Sequence, residues 1–221
     1  NAVLVGVVIL AAGCATGPQT SSLTNGPIGK SDSLLAVADW PLLPIPRMMA
    51  LSGSVAGLDP TLELPLDNLP EVLRHALVEA IDGFPRAPQK KSATKRHAIT
   101  VDPVYVPDAQ GYEIVIAAGS TGAVLTVTAH DESGLFYAAQ TLRQLASLSQ
   151  ECGAVPVCRI TDHPDFPNRG VMLDVARDKV PEMKTLYEFV DLFASWKFNQ
   201  LQLYTEHTFA YEGHHAVWEN A

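Results

Sequence analysis

The feature that most constrains the fold is a strand–helix–strand pattern in the last quarter of the chain. The apolar run 171–175 is too short for a helix and predicts a buried strand. Between Pro181 and Lys197 apolar residues recur at steps of three and four, which predicts an amphipathic helix with a proline near its first turn. A second apolar run follows at 198–204. Two strands joined in this way are expected to lie parallel, with a right-handed crossover between them.

Charged residues follow both predicted strands. In barrels built from such units, the side chains at the carboxyl ends of the strands line the active site. Asp174 and Arg177 hold those positions after the first strand, and Glu206 and His207 after the second. The planar guanidinium of Arg177 is suited to vicinal hydroxyls or a carboxylate. A surface ion pair with Asp174 or Asp178 is the alternative interpretation of this arginine.

The preceding part of the chain predicts an α+β layer of strands covered by helices. GSTG separates two β-rich runs and indicates a hairpin. Asp131 stands where it can cap the helix that follows, whose apolar stripe should face the sheet. The predicted elements are an edge strand within 42–49, a helix over 71–81, strands over 112–118 and 124–129, a helix over 134–148 and a strand over 155–160.

The amino-terminal segment resembles an export signal. Its apolar run is too short to span a bilayer but suits the core of a secretory signal. The tetrapeptide Ala11-Ala12-Gly13-Cys14 resembles a bacterial lipoprotein cleavage site, so Cys14 is the candidate acylated residue and lipid anchor. Cleavage as a plain signal peptide is the alternative. We therefore expect export to the bacterial periplasm or cell surface, with a signal at 1–14 and a flexible tether at 15–37.

The two remaining cysteines are consistent with export. Cys152 and Cys158 flank the segment GAVPV and could form a disulfide outside the reducing cytoplasm. Two unlinked thiols are the alternative, because spacing does not fix disulfide geometry. The chain lacks a CxxC pair, and its histidines near 206–215 lack the helical HExxH spacing. We expect neither a metal nor another cofactor.

Composition excludes one class of partner. The formal net charge is −9, whereas a nucleic-acid-binding protein normally presents a basic face. The hydrophobic content of 47% and the charged content of 18% are ordinary for a globular protein. The partner is therefore expected to be something other than nucleic acid.

Several strings resemble family 20 glycoside hydrolases, the β-N-acetylhexosaminidases. DHPDFPNRGVMLDVAR, followed by a helix and KFN, resembles the opening of the catalytic barrel of that family. The strings WPLLPIPR, HDESGLFYAAQTLRQL and PVCRITDHPDFPNRG resemble the small α/β domain that precedes the barrel. The resemblance covers residues 38–221.

The resemblance implies an α/β fold class with two parts. An α+β domain of antiparallel-rich sheet and helices would occupy 38–161, and the first β-α-β unit of a TIM barrel would occupy 162–221. A complete barrel takes about 250 residues, so the expectation is that the chain stops inside its second domain. The implied activity is exo-acting hydrolysis of terminal N-acetylglucosamine or N-acetylgalactosamine from glycans by substrate-assisted, retaining catalysis.

The resemblance also assigns roles to residues. The arginine of the LDVAR string binds the hydroxyls of the terminal sugar in the family, which implies that role for Arg177. The family usually has a histidine-rich strand ending in paired aspartates where this chain has LQLYTEH. Glu206 could orient Arg177 or accept from a sugar hydroxyl, and His207 could bind the sugar or stabilise the loop. For Arg169, before the first strand, a structural role near the domain interface is expected.

The catalytic Asp-Glu pair of the family belongs to a later barrel strand. The only Asp-Glu dipeptide in this sequence is Asp131-Glu132, in a helix-capping position. We therefore expect no catalytic residue within these 221 residues, and no activity from them alone. Two alternatives remain: a surface lipoprotein that binds glycans without cleaving them, and a hydrolase acting on non-acetylated hexosaminides.

Overall fold

The computed structural model describes residues 40–60, 65–88, 98–177, 180–205, 210 and 212–219, which form seven strands and four helices. The fold is mixed α/β, as the sequence predicts. In chain order the elements are β1 (Met48–Val55), α1 (Glu71–Asp82), β2 (Ala98–Val101), β3 (Tyr112–Ala118), β4 (Ala123–Ala129), α2 (Glu132–Cys152), β5 (Val155–Asp162), β6 (Gly170–Asp174), α3 (Met183–Ser195), β7 (Gln200–Tyr204) and α4 (His215–Trp218).

Five strands form one sheet in the order β1-β5-β3-β4-β2. All neighbours are antiparallel except β2, which runs parallel to β4. The predicted hairpin is confirmed as β3 and β4. The register places Tyr112, the first residue of β3, opposite Asp162, the last residue of β5. These two polar side chains therefore meet where β3 begins and β5 ends, in the interior strands of the sheet.

Helices α1 and α2 pack together, and α2 lies against β3, β4 and β5. Both were predicted, and Asp131 caps α2 by accepting the Gly134 N–H at 2.8 Å. In α1, Leu73 and Leu77 are buried, whereas Val72 is 71% exposed. The stripe of α2 predicted to face the sheet is fully buried, and it consists of Leu135, Ala138, Ala139, Leu142 and Leu145.

The predicted strand–helix–strand unit is also confirmed. Strands β6 and β7 pair in parallel from Gly170 opposite Gln200 to Asp174 opposite Tyr204, and α3 connects them. None of the described residues of α3 is buried, although its apolar residues recur with helical spacing. The two strands form a separate two-stranded sheet.

Two sequence predictions need correction. The edge strand β1 begins at Met48, so its centre lies beyond the predicted range 42–49. The predicted disulfide between Cys152 and Cys158 is wrong, because Cys158 is a free, buried thiol. The extended strand β5 carries Cys158 roughly 10 Å from the first residue of the strand, into the core. Burial raises the pKa of the Cys158 thiol to about 12.

Within the described part of the chain, no helix combines the length and the apolarity that crossing a bilayer requires. The predicted signal, Cys14 and the tether all lie outside the described residues.

Candidate functional site

At the carboxyl ends of β6 and β7, two of the predicted polar residues, Asp174 and Arg177, lie beside Tyr204. Asp174 and Tyr204 are opposite each other in the parallel ladder, and the Val175 N–H donates to the Tyr204 carbonyl at 3.0 Å. Arg177 follows three residues after Asp174, on the segment that leaves the strand. The end of this small sheet therefore presents a carboxylate, a phenol ring and a guanidinium in one place.

Asp174 supports this cluster with both carboxylate oxygens. Its Oδ1 accepts the Ala176 N–H at 2.9 Å, which closes a tight turn after the strand. Its Oδ2 lies 3.7 Å from Arg177 Nη1. The sequence-based expectation that Asp174 holds Arg177 or a backbone group is therefore met on both counts.

The guanidinium of Arg177 lies beside an aromatic ring. Its Cζ atom is 5.8 Å from the centroid of the Tyr204 ring, within the range of a cation–π contact. The Arg177 side chain is 63% exposed, so its guanidinium is accessible to solvent. A planar donor group beside an aromatic face can bond hydroxyls and pack against the C–H face of a sugar.

The other predicted site residues divide into two groups. Glu206 and His207 lie outside the described residues, so their roles stay predictions. Asp131 and Glu132 open α2, where Asp131 also accepts the Gln110 N–H at 3.1 Å through Oδ2. Asp131 is thus engaged in capping, as the sequence predicts.

A second polar cluster lies where the five-stranded sheet meets the strand–helix–strand unit. Lys197 Nζ donates to Asp162 Oδ2 at 2.8 Å and to Tyr112 Oη at 2.7 Å. The Tyr112 hydroxyl also lies 2.7 Å from Thr141 Oγ1. Burial, followed by the nearby Asp162 carboxylate, raises the pKa of Tyr112 well above its usual value. Burial lowers the pKa of Lys197, and the same carboxylate opposes that shift.

Arg169 joins this cluster from the residue before β6. Its Nε donates to the Lys197 carbonyl at 3.0 Å, and its Nη1 donates to Gln110 Oε1 at 3.0 Å and to the Phe166 carbonyl at 2.6 Å. Its Cζ stands 5.0 Å from the centroid of the Tyr137 ring. These contacts agree with the structural role expected for Arg169.

Sequence reasoning missed Lys197, because it treated this residue as the last position of a helical face. The signal that could have identified it is a lysine placed directly after a run of apolar residues, where burial would demand a partner. Lys197 and Asp162 are separated by 35 residues, so only the fold brings them together.

The same junction contains a cavity of about 280 Å³. Its walls combine aromatic and apolar side chains with the polar groups described above. They include Ile45, Arg47, Phe166, Arg169, Trp196 and Lys197. Across the residues that the structure describes, no group of His, Cys, Asp or Glu side chains is arranged to hold a metal ion.

Comparison with known proteins identifies the family. Residues 39–163, more than half of the chain, match the model of glycosyl hydrolase family 20, domain 2. The chain therefore belongs to this family.

Three relatives illustrate the similarity. A β-hexosaminidase of Akkermansia muciniphila is 43% identical over 72 residues, which cover 32% of this chain and 14% of that protein. N,N'-diacetylchitobiase of Vibrio harveyi is 36% identical over 80 residues, covering 36% of this chain and 9% of that protein. A solved family 20 β-N-acetylglucosaminidase is 27% identical with a TM-score of 0.53, covering 75% of this chain and 30% of that one. The chain thus matches only a minor part of each relative.

Proposed function

We propose that this chain is part of an exo-acting β-N-acetylhexosaminidase that removes terminal N-acetylglucosamine or N-acetylgalactosamine from glycans. The proposal is supported by membership of family 20 and by the names of the relatives, which are β-hexosaminidases and a chitobiase. In this proposal β6, α3 and β7 begin a TIM barrel, whose active site would lie at the carboxyl ends of the strands.

The proposal for the site depends above all on the position of Arg177. It stands beyond the carboxyl end of β6, exposed, with Asp174 Oδ2 3.7 Å from its Nη1 and Tyr204 beside it. The guanidinium would donate to two hydroxyls of the terminal sugar, while Asp174 limits its rotation. Tyr204 would offer an aromatic face to the sugar ring or help to fix the guanidinium.

The proposed chemistry is substrate-assisted hydrolysis. The oxygen of the 2-acetamido group attacks the anomeric carbon, an acid protonates the leaving oxygen, and water then opens the cyclic intermediate with retention. Residues of this chain would bind and orient the sugar, because its sole Asp-Glu dipeptide caps α2 and does not follow β6 or β7. The proton-transferring pair would come from another part of the protein, so residues 1–221 alone should bind sugar without turning it over.

The test compares turnover and binding. The complete gene product should hydrolyse a chromogenic N-acetylglucosaminide, and Arg177→Ala should lower kcat/KM by on the order of 100-fold, the loss expected for a hydrogen-bonded charged contact. Arg143→Ala is the matched control, since Arg143 is a half-exposed arginine of α2. Turnover by residues 1–221 alone would contradict the proposal that the proton-transferring pair comes from another part of the protein. Binding without turnover by the complete protein would favour the non-catalytic glycan-binding alternative.

Export and lipid anchoring are a separate proposal that rests on the sequence around Cys14. In a bacterial host the protein should incorporate labelled palmitate and fractionate with membranes. Cys14→Ser should abolish both the label and the fractionation, while leaving the fold unchanged. Equal labelling of the two proteins would show that Cys14 is not the acylated residue.

A further inference from the structure

Lys197, the residue that follows the C-cap of α3, has an unusual backbone conformation. Its φ is 62°, in the left-handed region that glycine or asparagine normally occupies after a helix. A Cβ atom makes this conformation unfavourable, so a lysine persists here only if other interactions compensate. The side chain of Lys197 is therefore expected to make contacts that a glycine could not.

The Lys197 side chain extends from the strand–helix–strand unit into the five-stranded sheet. It is 8% exposed, and the side chain of its partner Asp162 is 12% exposed. Asp162 ends β5 and Tyr112 begins β3. The two oxygens that accept hydrogen bonds from Lys197 therefore both belong to the larger sheet. Removing one partner of a buried ion pair is strongly destabilising, because the remaining charge stays buried and uncompensated.

Hydrogen bonds beside Lys197 hold the starts of both small strands together. Its carbonyl accepts from Arg169 Nε at 3.0 Å, and Arg169 directly precedes β6. The Asn199 N–H donates to the Arg169 carbonyl at 2.8 Å, and Asn199 directly precedes β7. The amino ends of β6 and β7 are thus held together, and Lys197 attaches them to the ends of β5 and β3, in addition to the contact of Arg169 with Gln110.

We propose that Lys197 is a positioning residue for the sugar site at the opposite end of these strands. Each strand has five residues and spans roughly 16 Å. Holding both amino ends against the larger sheet sets where Asp174, Arg177 and Tyr204 lie at the carboxyl ends. The attachment itself is independent of the proposed function, whereas its effect on sugar binding rests on that function.

Three substitutions of Lys197 and one control separate the roles of charge and backbone. Lys197→Met removes the ammonium, Lys197→Gly also relieves the backbone strain, and Lys197→Arg keeps a cation. Lys184→Met is the matched control, because Lys184 lies on α3 in an exposed pair with Glu188, 3.8 Å away. The measurement is amide hydrogen exchange in β6 and β7, with β3 and β4 as internal references.

The expected result is local loss of protection. Exchange in 170–174 and 200–204 should accelerate on the order of 100-fold in both Lys197→Met and Lys197→Gly, with β3 and β4 still protected. Lys197→Arg should restore most of the protection, and Lys184→Met should leave it unchanged. If only the backbone conformation mattered, Lys197→Gly would protect β6 and β7 as well as the unsubstituted protein does, and that result would overturn the proposal.

A double substitution keeps the test decisive if Lys197→Met fails to fold. Lys197→Met combined with Asp162→Asn removes both charges, so no buried carboxylate is left uncompensated. The five-stranded sheet should then remain protected while β6 and β7 still exchange faster. Unchanged protection of β6 and β7 in this variant would mean that Lys197 does not hold them.

A lysine with a purely structural role should not selectively change sugar binding. Sugar binding therefore tests the positioning role of Lys197. N-acetylglucosamine titrated into residues 1–221 and followed by NMR should bind about tenfold more weakly to Lys197→Met than to Lys197→Arg, although Lys197 does not touch the sugar. If the unsubstituted chain binds no sugar, the proposed role of Arg177 fails, and the exchange rates alone decide the role of Lys197. Equal affinities alongside altered exchange would overturn the positioning role.

Discussion

The five-stranded domain and the strand–helix–strand unit differ in how much of their apolar surface is covered. In the first, Ile114, Leu125 and Leu142 have no exposed surface at all. In the second, none of the described residues of β6, α3 or β7 is buried, and Met172 and Leu203 are 66% and 46% exposed. Yet α3, the helix of the second region, has a clearer amphipathic pattern than α1 or α2 of the first region.

Amphipathic spacing therefore indicates which face could be buried, whereas burial itself needs a partner surface. Within the second unit the aromatic rings contact one another, and the centroids of Phe189 and Phe193 lie 5.8 Å apart. Its contacts with the larger domain include hydrogen bonds from Arg169 to Gln110 and from Lys197 to Asp162. The first region is therefore stabilised by its core and the second by a small number of directional contacts.

The largest expected effect contrasts two leucines on helices. Leu142→Ala in α2 should lower the free energy of unfolding by about 3 kcal/mol, because it leaves a cavity in a closed core. Leu192→Ala in α3 should cost less than about 1 kcal/mol, because Leu192 is 39% exposed. Urea unfolding measures both changes. Equal losses would show that the two regions have equivalent cores.

The second effect contrasts two arginines that precede and follow β6. Arg169→Ala should destabilise by about 2 kcal/mol, the cost of losing hydrogen bonds from a charged group. Arg177→Ala should change stability by less than about 0.5 kcal/mol, because its ion pair with Asp174 is exposed. Thermal unfolding tests the pair. A larger stability loss from Arg177→Ala would mean that Arg177 supports the fold rather than a ligand.

The third effect concerns pH and Tyr112. Its pKa is raised, so above pH 10 the phenol ionises in the unfolded chain but keeps its proton in the folded one. The free energy of unfolding should therefore fall by up to about 1.4 kcal/mol per pH unit above pH 10, and below pH 10 this group should contribute no slope.

Tyr112→Phe is the control for this pH dependence. The variant lacks the ionisable hydroxyl, so its stability should fall less steeply between pH 10 and 11. Absorbance at 295 nm gives an independent measurement, because one tyrosine should ionise only as the protein unfolds. Parallel stability curves for the two proteins would show that Tyr112 ionises normally in the folded state.

The smallest expected effect concerns Cys158. Cys158→Ala should cost only about 1 kcal/mol, since the deleted group is small. In the folded protein Cys158 should react with iodoacetamide only during unfolding, because the thiol is buried and its pKa is raised to about 12. In denaturant without reductant it should be alkylated rapidly. If Cys158 stayed protected from alkylation in denaturant until a reductant was added, that result would show that Cys158 forms a disulfide.

Local sequence signals predicted most elements of this fold. The spacing of Leu135, Ala139 and Leu142 predicted both α2 and its buried face, because helical period alone specifies which residues share a side. Asp131 predicted the start of the same helix through its capping hydrogen bond. The parallel pairing of β6 and β7 followed from their connection through a helix, and this pairing places Asp174 opposite Tyr204.

The features that were missed all depend on contacts between distant parts of the chain. Strand β2 has four residues and pairs in parallel with β4, which no turn signal announces. Cys158 faces the core because of the register of β5, so its spacing from Cys152 was misleading. Lys197 looked like a helix-end residue until the structure showed its buried partners.

Local sequence signals specified helices α1, α2 and α3, the hairpin, the parallel unit and the arginine at its end, because period, capping and connection length act over a few residues. Which apolar faces are covered, which thiol is buried and which carboxylate contacts Lys197 depend on how distant segments pack. Burial and ion pairing depend on groups that the fold brings within a few ångströms from positions 35 residues apart, as with Lys197 and Asp162. Such contacts leave no periodic trace in the sequence, since each is a single pair of residues.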